Sequence, residues 1–384
     1  MRQIHKELKL QCENCKEIYT YQFVLRCFRC NGLINPVYNL NNAEIYDSNI
    51  PLERYFALAP IEDTSSIRYL GEGNTPCIFA SKLGEILKIN KLFLKNETIN
   101  ITGSTKDRMA TCVISQFKEL NIKEFVVSST GNSSAAFAYA IQKEPNMKLH
   151  LFIAREFLSR HAYYNHPSIE IHLIDGDFVE ASNQAKNFAE QNNIIFEGGF
   201  FNLARREGLK LAYLEAFDQM PENPTVVIQA VSSGMGVYGA YKGANEYVSL
   251  GRLKKLPRFV CAQQDTCSPM VKAYEANSNV IRDSDIIPNP KGIAQAILRG
   301  NPSQTYPYMY SIITETGGTF IVISQERIKK MQLLLKQTEN INACYAASTA
   351  LSAALELREK GWIKDDDVVL VNLTGGMNRP KIDN

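Results

Sequence analysis

The sequence has little that would place the protein in a membrane or on nucleic acid. No apolar run is long enough to span a bilayer, and residues 1–9 lack the apolar core of a signal peptide. Lysine and arginine number 42 against 40 acidic residues, and no block of like charges occurs. These absences argue against membrane insertion, secretion and nucleic-acid binding. We therefore expect a cytoplasmic protein with neither a membrane nor a nucleic-acid partner.

Length and cysteine content bound the architecture. A chain of 384 residues exceeds what one hydrophobic core usually fills, so we expect two domains and a small appendage. Hydrophobic residues make up 45% and charged residues 21%, which is ordinary for a folded globular protein. Five scattered cysteines suit the reduced thiols of a cytoplasmic protein: Cys77, Cys112, Cys261, Cys267 and Cys344.

The other four cysteines form two paired motifs near the N-terminus. Cys12-Glu13-Asn14-Cys15 and Cys27-Phe28-Arg29-Cys30 are separated by eleven residues. Two such knuckles can hold Zn²⁺ in a tetrahedron of thiolates, and four protein ligands leave no open position for catalysis. We predict a structural zinc ribbon over residues 1–35, with two short strands between the knuckles. Two separate redox motifs are the alternative.

After an irregular connector at residues 31–73, the chain alternates between apolar runs and helical stretches. Continuous apolar runs are typical of parallel strands that are covered on both faces. The predicted strands are residues 92–94, 125–127, 149–153, 169–174, 226–228, 259–261, 319–322 and 368–371. Helices are predicted at 178–192 and 203–217, among others. The fold class is therefore α/β, with open parallel sheets.

Lys106 is the first candidate catalytic residue, because it belongs to the apolar face of a predicted helix. Apolar residues repeat after it at helical spacing: Met109, Ala110, Val113, Ile114, Phe117 and Leu120. Desolvation lowers the pKa of an amine, and a neutral amine beside a cleft is what Schiff-base chemistry with a carbonyl cofactor requires. A lysine that extends to solvent is the simpler alternative.

Three turns that follow predicted strands are rich in glycine or hydroxyl groups, and ligands bind at such places in α/β sheets. Ser232-Ser233-Gly234-Met235-Gly236 suits a phosphate, although the acidic residue of a dinucleotide site is missing. Ser129-Thr130-Gly131-Asn132-Ser133-Ser134 offers hydroxyls and an amide to a carboxylate and a phenolic oxygen, with helix capping as the alternative. Thr374-Gly375-Gly376 could place a hydroxyl against a ring nitrogen, or be a simple turn. Together with the amine, these turns describe a site for pyridoxal phosphate.

The order and spacing of these motifs resemble threonine synthase and its relatives among the fold-type-II pyridoxal-phosphate enzymes. The matching segments are Gly71-Glu72-Gly73-Asn74-Thr75-Pro76, residues 100–108, Ser129-Thr130-Gly131-Asn132, Glu197-Gly198-Gly199, residues 202–208, residues 233–237 and Leu373-Thr374-Gly375-Gly376. The resemblance covers nearly the whole chain, including the ribbon. It implies a tryptophan synthase beta-like fold with two parallel-sheet domains and a cleft between them. The large cofactor-binding domain would comprise residues 36–100 and 201–384, and the small mobile domain residues 101–200. A homodimer is also implied.

The resemblance also implies residue roles. Lys106 would bind the cofactor covalently and then shuttle protons as the catalytic residue. The implied cofactor contacts are the backbone of Ser233, Gly234, Met235, Gly236 and Val237 for the phosphate, Asn132 for the ring 3-hydroxyl and Thr374 for the pyridine nitrogen. The implied substrate contacts are Ser129, Thr130 and Ser133 for the carboxylate, with Ser104 and Arg205 or Arg206 for a substrate phosphate.

Local departures leave the reaction open between relatives. Thr105 replaces the usual aromatic residue before the lysine, and Ile101 replaces the usual proline. Residues 232–236, 202–208 and 262–264 resemble cysteate synthase, which replaces the phosphate of phosphoserine with sulfite, whereas residues 106–108 resemble threonine synthase. The leading expectation is conversion of phosphohomoserine to threonine and phosphate. The alternatives are β-replacement on phosphoserine, a serine or threonine dehydratase, and an inactive homologue whose ribbon binds another macromolecule.

Overall fold

The computed structural model describes residues 3–129, 131–160, 165–176 and 178–377, and the chain divides into two compact units. Among the described residues, unit 1 comprises those within 3–73 and 106–211, and unit 2 comprises those within 74–105 and 212–377. In the described part of the chain, no helix combines the length and the apolar character needed to cross a membrane.

The described residues form thirteen strands and eleven α-helices. The strands are β1 (Lys9–Cys12), β2 (Ile18–Thr20), β3 (Ile34–Val37), β4 (Cys77–Phe79), β5 (Lys91–Asn96), β6 (Glu124–Ser128), β7 (Lys148–Ala154), β8 (Ile169–Ile174), β9 (Ile195–Phe196), β10 (Val226–Ala230), β11 (Arg258–Gln264), β12 (Thr319–Ile323) and β13 (Val368–Leu373). The helices are α1 (Pro51–Arg54), α2 (Ser81–Leu87), α3 (Lys106–Glu119), α4 (Asn132–Ile141), α5 (Phe178–Asn192), α6 (Leu203–Gln219), α7 (Met235–Ser249), α8 (Pro269–Glu275), α9 (Tyr306–Thr316), α10 (Gln325–Glu339) and α11 (Tyr345–Glu359).

The N-terminal ribbon is a three-stranded antiparallel sheet in the order β2-β1-β3. The expectation of two strands between the knuckles is wrong, because only β2 lies there. The apolar side chains after β2 pack against the body of unit 1 instead of extending the sheet. The Phe23 ring lies edge-on to Phe117 at 5.5 Å, and the Tyr21 hydroxyl donates to the carbonyl of Pro60.

Unit 1 also contains a four-stranded parallel sheet in the order β8-β7-β6-β9. Helix α5 packs on this sheet through small residues, among them Ala181, Ala185 and Ala189, which meet Val126 and Phe152. Small side chains let a helix approach a sheet closely, so a compact core forms on this face.

Unit 2 contains a six-stranded sheet in the order β12-β11-β10-β13-β5-β4. Five strands are parallel, as the continuous apolar runs indicated, and β4 is an antiparallel edge strand that was not predicted. All five residues of β10 and all six of β13 are buried, because helices α2, α10 and α11 contribute to the core around the sheet. The fold is thus α/β with two largely parallel sheets.

The unit boundaries differ from the predicted domain boundaries at residues 36–73 and 201–211, which belong to unit 1, and at residues 101–105, which belong to unit 2. Hydrogen bonds explain this grouping. The Lys210 ammonium donates to the Leu58 carbonyl at 2.7 Å, and the Tyr38 hydroxyl donates to the Glu207 carboxylate at 2.9 Å. The connector after the ribbon is therefore bound to the first half of α6.

Candidate active site

The carboxyl ends of three adjacent parallel strands in unit 2 carry three of the predicted binding segments. Strands β10, β13 and β5 lie side by side, and parallel strands end at the same edge of a sheet. The Ser233 turn follows β10, Thr374 directly follows β13, and Ser104 lies in the segment after β5. The predicted site segments that belong to unit 2 thus lie at one edge of its sheet.

Backbone hydrogen bonds tie the segment before Lys106 to the turn after β13. The N–H of Thr105 donates to the Thr374 carbonyl at 3.0 Å, and the N–H of Gly376 donates to the Gly103 carbonyl at 2.9 Å. Gly103 has a φ of 79°, which favours glycine. Within unit 2, the segment that precedes Lys106 in the sequence is therefore bound to the turn at Thr374.

The turn at Gly234 is built for a close approach to the backbone. Gly234 has a φ of 80° and precedes α7, and a Cβ there would lie 2.1 Å from Sδ of Met309. A Cβ on Gly236 would lie 2.4 Å from Nε2 of Gln229. The first N–H groups of a helix have no acceptor within it and carry the positive end of its dipole. The turn therefore fits a phosphate group.

Lys106 is the first residue of α3 and is half-buried. The prediction of a single apolar stripe is incomplete, because polar residues of the helix are buried too: Asp107, Arg108, Thr111, Ser115 and Gln116. Burial, and next the positive charge of Arg205, lower the pKa of the Lys106 amine to about 8. At pH 7 about one tenth of such an amine is neutral, which is far more than for a lysine in water. The group can therefore act as a nucleophile or base.

The turn between β6 and α4 uses its serines to cap the helix. Oγ of Ser129 accepts hydrogen bonds from the N–H groups of Gly131 and Ser134, both at 3.2 Å. The Ser134 hydroxyl donates to the Gly131 carbonyl at 2.6 Å. A hydroxyl that accepts twice can still donate its proton, so capping and substrate binding by Ser129 are compatible. Asn132 begins α4, and Thr130 lies outside the described residues.

Arg205 is held by a buried carboxylate that the sequence analysis left without a role. Its Nε donates to Oε1 of Glu197 at 2.5 Å, and its Nη2 donates to Oε2 of the same residue. The third nitrogen, Nη1, lies 3.4 Å from Oγ of Ser133, and the guanidinium stands 5.1 Å from the ring centroid of Phe137. Glu197 therefore directs the free edge of the guanidinium toward the serine-rich turn. The structure brings Arg205, Ser133 and Lys106 into one neighbourhood of unit 1.

Arg206 points elsewhere and has a structural set of partners. Its Nη1 donates to the Phe200 carbonyl, and its Nη2 donates to the Ile34 carbonyl and, at 3.2 Å, to Oδ1 of Asn35. The side chain is buried and links the turn Gly199–Phe201 to the third ribbon strand. These contacts give no support to Arg206 as a ligand of a substrate phosphate.

Two buried polar groups near the predicted segments were missed from the sequence. Burial raises the pKa of the Glu72 carboxyl to about 8, although the N–H of Leu70 and the charge of Arg108 oppose the shift. In unit 2, the Tyr213 hydroxyl donates to Oε1 of Gln229, beside Gly236. A glutamine within an otherwise apolar strand was the available signal for the second group, since buried polar side chains need partners.

The four ribbon cysteines come together as a metal site requires. Sγ of Cys12 lies 3.4 Å from Sγ of Cys30, and Sγ of Cys15 lies 3.5 Å from Sγ of Cys27. All four sulfurs lie within 4.8 Å of one another. Tetrahedral zinc with Zn–S bonds of about 2.3 Å needs sulfurs about 3.8 Å apart. The set therefore fits a structural zinc ion, and the pairing of sulfurs from different knuckles disfavours two separate redox motifs.

Comparison with known proteins identifies the family. The family described as pyridoxal-phosphate dependent enzyme matches residues 69–375. The sequence is 29% identical to a threonine synthase of Methanocaldococcus jannaschii, over 96% of this chain and 93% of that protein. It is 26% identical to a cysteate synthase of Methanosarcina barkeri, over 96% of this chain and 91% of that protein. Maize serine racemase shares the fold, with a TM-score of 0.65 and 19% identity over 80% of this chain and 90% of that one.

Proposed function

The chain belongs to the family of pyridoxal-phosphate dependent enzymes, and on that basis we propose that it acts on a phosphorylated hydroxy-amino acid. The leading activity is that of a threonine synthase, in which phosphohomoserine and water give threonine and phosphate. The similarity to a cysteate synthase supports β-replacement on phosphoserine as the second candidate. A serine or threonine dehydratase is a third candidate, and only the shared fold supports it.

The observation that carries the proposal is the placement of Lys106. Its amine has a pKa lowered to about 8. In the sequence it directly follows Thr105, whose N–H donates to the Thr374 carbonyl. That bond lies at the sheet edge that also carries the Gly234 turn. Pyridoxal phosphate, when bound, supplies a carbonyl carbon for an amine and a conjugated ring that takes up electrons from a breaking bond.

The residues of the chain divide the remaining work. Lys106 takes a proton from Cα of the substrate and can return it, since a pKa near the working pH suits both directions. Backbone N–H groups of the turn would hold the cofactor phosphate. They belong to Ser233, Gly234, Met235, Gly236 and Val237. Asn132 would meet the ring hydroxyl. Thr374 would meet the ring nitrogen, and a neutral hydroxyl there leaves that nitrogen largely unprotonated.

Arg205 is the better of the two arginines for a substrate anion. Its charge acts on the Lys106 amine, and its Nη1 lies toward Ser133. Ser129, Thr130 and Ser133 would bind the substrate carboxylate, and buried Ser104 would assist at the phosphate. A homodimer, a cytoplasmic location and a mobile small domain complete the proposal.

Substrate identity is tested by supplying phosphohomoserine and phosphoserine separately to the cofactor-loaded enzyme, with and without sulfite. We expect equal amounts of phosphate and threonine from phosphohomoserine, independent of sulfite. Homoserine and serine serve as unphosphorylated controls, and a Lys106→Ala variant shows the background. Turnover of phosphoserine alone, with cysteate formed only when sulfite is present, would favour the second candidate. Release of phosphate from neither compound would rule out both.

The lowered pKa of Lys106 predicts how fast the cofactor-free enzyme takes up pyridoxal phosphate at each pH. Only the neutral amine attacks a carbonyl, so the rate should rise about fivefold between pH 7 and pH 8 and less than twofold above pH 8. An ordinary lysine would instead give about tenfold per pH unit up to pH 10. The appearance of yellow absorbance in a stopped-flow instrument measures this rate.

The double variant Arg205→Met/Glu197→Gln is the matched control for that measurement. It removes the positive charge that acts on Lys106 without leaving the Glu197 carboxylate buried and unpaired. We expect the midpoint of the rate profile to move upward. If the uptake rate of the wild type still rises tenfold per pH unit at pH 9, the Lys106 amine is not desolvated.

A further inference from the structure

A second group of potential metal ligands lies on the parallel sheet of unit 1. His150 on β7 stands opposite Glu170 on β8, and His172 is two residues further along β8. Side chains two residues apart share one face of a strand, so all three meet on the same face. Their ligand atoms lie within 4.8 Å of one another. None of the three belongs to the ribbon or to the candidate active site.

The distances suit one metal ion. Nδ1 of His150 lies 3.1 Å from Nε2 of His172. The carboxylate of Glu170 places one oxygen 3.6 Å from the His150 nitrogen and the other 3.5 Å from the His172 nitrogen. Tetrahedral Zn²⁺ with Zn–N bonds of about 2.0–2.1 Å needs ligand atoms about 3.4 Å apart. The two imidazole nitrogens share one proton at this distance. An ion that binds both of them takes the place of that proton, which moves to the other nitrogen of the His172 ring or to water.

The surroundings orient both imidazoles for this task. Nε2 of His150 lies 2.8 Å from Oε1 of Glu124, and donation of its proton to that carboxylate leaves Nδ1 with a free electron pair. Metal-bound histidines commonly have such a carboxylate on the other ring nitrogen. The His172 ring stacks on Phe152, with centroids 4.3 Å apart and an interplanar angle of 9°. The stacking fixes the plane in which His172 presents Nε2.

Lys148 is the natural competitor of a metal ion at this place. Its ammonium lies 2.9 Å from Oε2 of Glu170 and 3.4 Å from Oε1 of Glu124. The Lys148 side chain is 44% exposed, so the ammonium can turn to water when another cation takes its place. Ion pairs this exposed contribute little stability, so their loss costs little.

We propose that His150, Glu170 and His172 bind a divalent transition-metal ion such as Zn²⁺, with water completing the coordination. Two imidazoles and one carboxylate are ligands that Zn²⁺ and its neighbours in the affinity series accept. The ion joins β7 to β8, and Lys148 opposes its binding.

The test counts zinc on the full-length enzyme that already carries its ribbon metal. At low micromolar free Zn²⁺, the wild type should bind two ions, of which a thiol-specific mercurial releases one. His172→Phe retains the ring that stacks on Phe152 but removes the ligand, and it should weaken the mercurial-resistant ion at least 100-fold. Glu170→Gln, at a half-exposed position, should act in the same direction. Lys148→Gln should strengthen binding about tenfold.

His166→Gln is the matched histidine control, and it should bind two ions like the wild type. Circular dichroism shows whether each variant is folded. If His172→Phe does not fold, the loss of zinc binding in Glu170→Gln tests the proposal instead. Three results would overturn the proposal: a wild type that binds only the mercurial-sensitive ion, ligand variants that bind like the wild type, or a Lys148→Gln variant with weakened binding.

Discussion

Lys106→Ala leaves the purified protein colourless after exposure to pyridoxal phosphate, and turnover falls by about 10³–10⁴-fold or more. Two separate losses combine in this variant. The amine that would hold the cofactor is removed, and so is the group with a pKa of about 8 that would move the proton at Cα. Visible absorbance, followed by borohydride reduction and peptide mass analysis, measures the first loss. A coupled phosphate assay measures the second.

Lys118→Ala is the control for this variant, because Lys118 lies at the other end of the same helix and donates to the Ser65 carbonyl. It should remain yellow and active. A small primary amine added to Lys106→Ala should restore part of the proton transfer but not the covalent attachment. If Lys106→Ala stays yellow after gel filtration and is fixed by borohydride, another amine holds the cofactor, and the site assignment is wrong.

Gly234→Ala is expected to destabilise unit 2 by about 2–5 kcal/mol and to weaken pyridoxal phosphate binding at least tenfold. The new methyl group would lie 2.1 Å from Sδ and 2.5 Å from Cγ of Met309, which is fully buried. The backbone would also be held at a φ of 80° by a residue with a side chain. Either the turn or Met309 must move, and a displaced turn no longer aims the N–H groups of α7 at a phosphate.

Gly251→Ala separates backbone strain from crowding in this experiment. Gly251 has a φ of 69°, and among the described residues other than Gly251 and its two chain neighbours no heavy atom lies within 4 Å of the position its Cβ would take. The Gly251→Ala variant should therefore lose only about 1 kcal/mol of its free energy of unfolding and keep full affinity for the cofactor. Adding Met309→Ala to Gly234→Ala should recover part of the affinity. Equal losses in Gly234→Ala and Gly251→Ala, by urea denaturation and equilibrium dialysis, would show that crowding is unimportant.

The sequence predicts this fold well where local and tertiary preferences coincide. Residues 169–174 and 178–192 form a strand and a helix with the predicted bounds, and the apolar run at 226–228 forms the centre of β10. Their apolar patterns reflect burial directly. The ribbon strands were misplaced because Phe23 packs on Phe117, a contact between residues far apart in the chain that no local pattern encodes.

The candidate site divides in the same way. Glycines with a special conformation, such as Gly103 and Gly234, reveal their position in the sequence because few other residues adopt it. The sequence could not decide whether Arg205 or Arg206 binds a substrate phosphate, since successive residues of a helix face different directions. Only the folded chain shows that Arg205 donates to the Glu197 carboxylate, whereas Arg206 donates to the Ile34 carbonyl. The ligand group around His150 likewise depends on the register of β7 with β8.

The partners of Arg206 also make the N-terminal ribbon more than an appendage. Its guanidinium is buried, and Ile34 and Asn35 of the ribbon supply two of its acceptors. A chain shortened to begin after the ribbon would lack these two acceptors, and each hydrogen bond lost from a charged group costs about 1.5–3 kcal/mol. The neighbouring residue in α6 is Arg205. The zinc ribbon is consequently not a detachable module: its loss would be felt one residue away from the guanidinium proposed to receive the substrate.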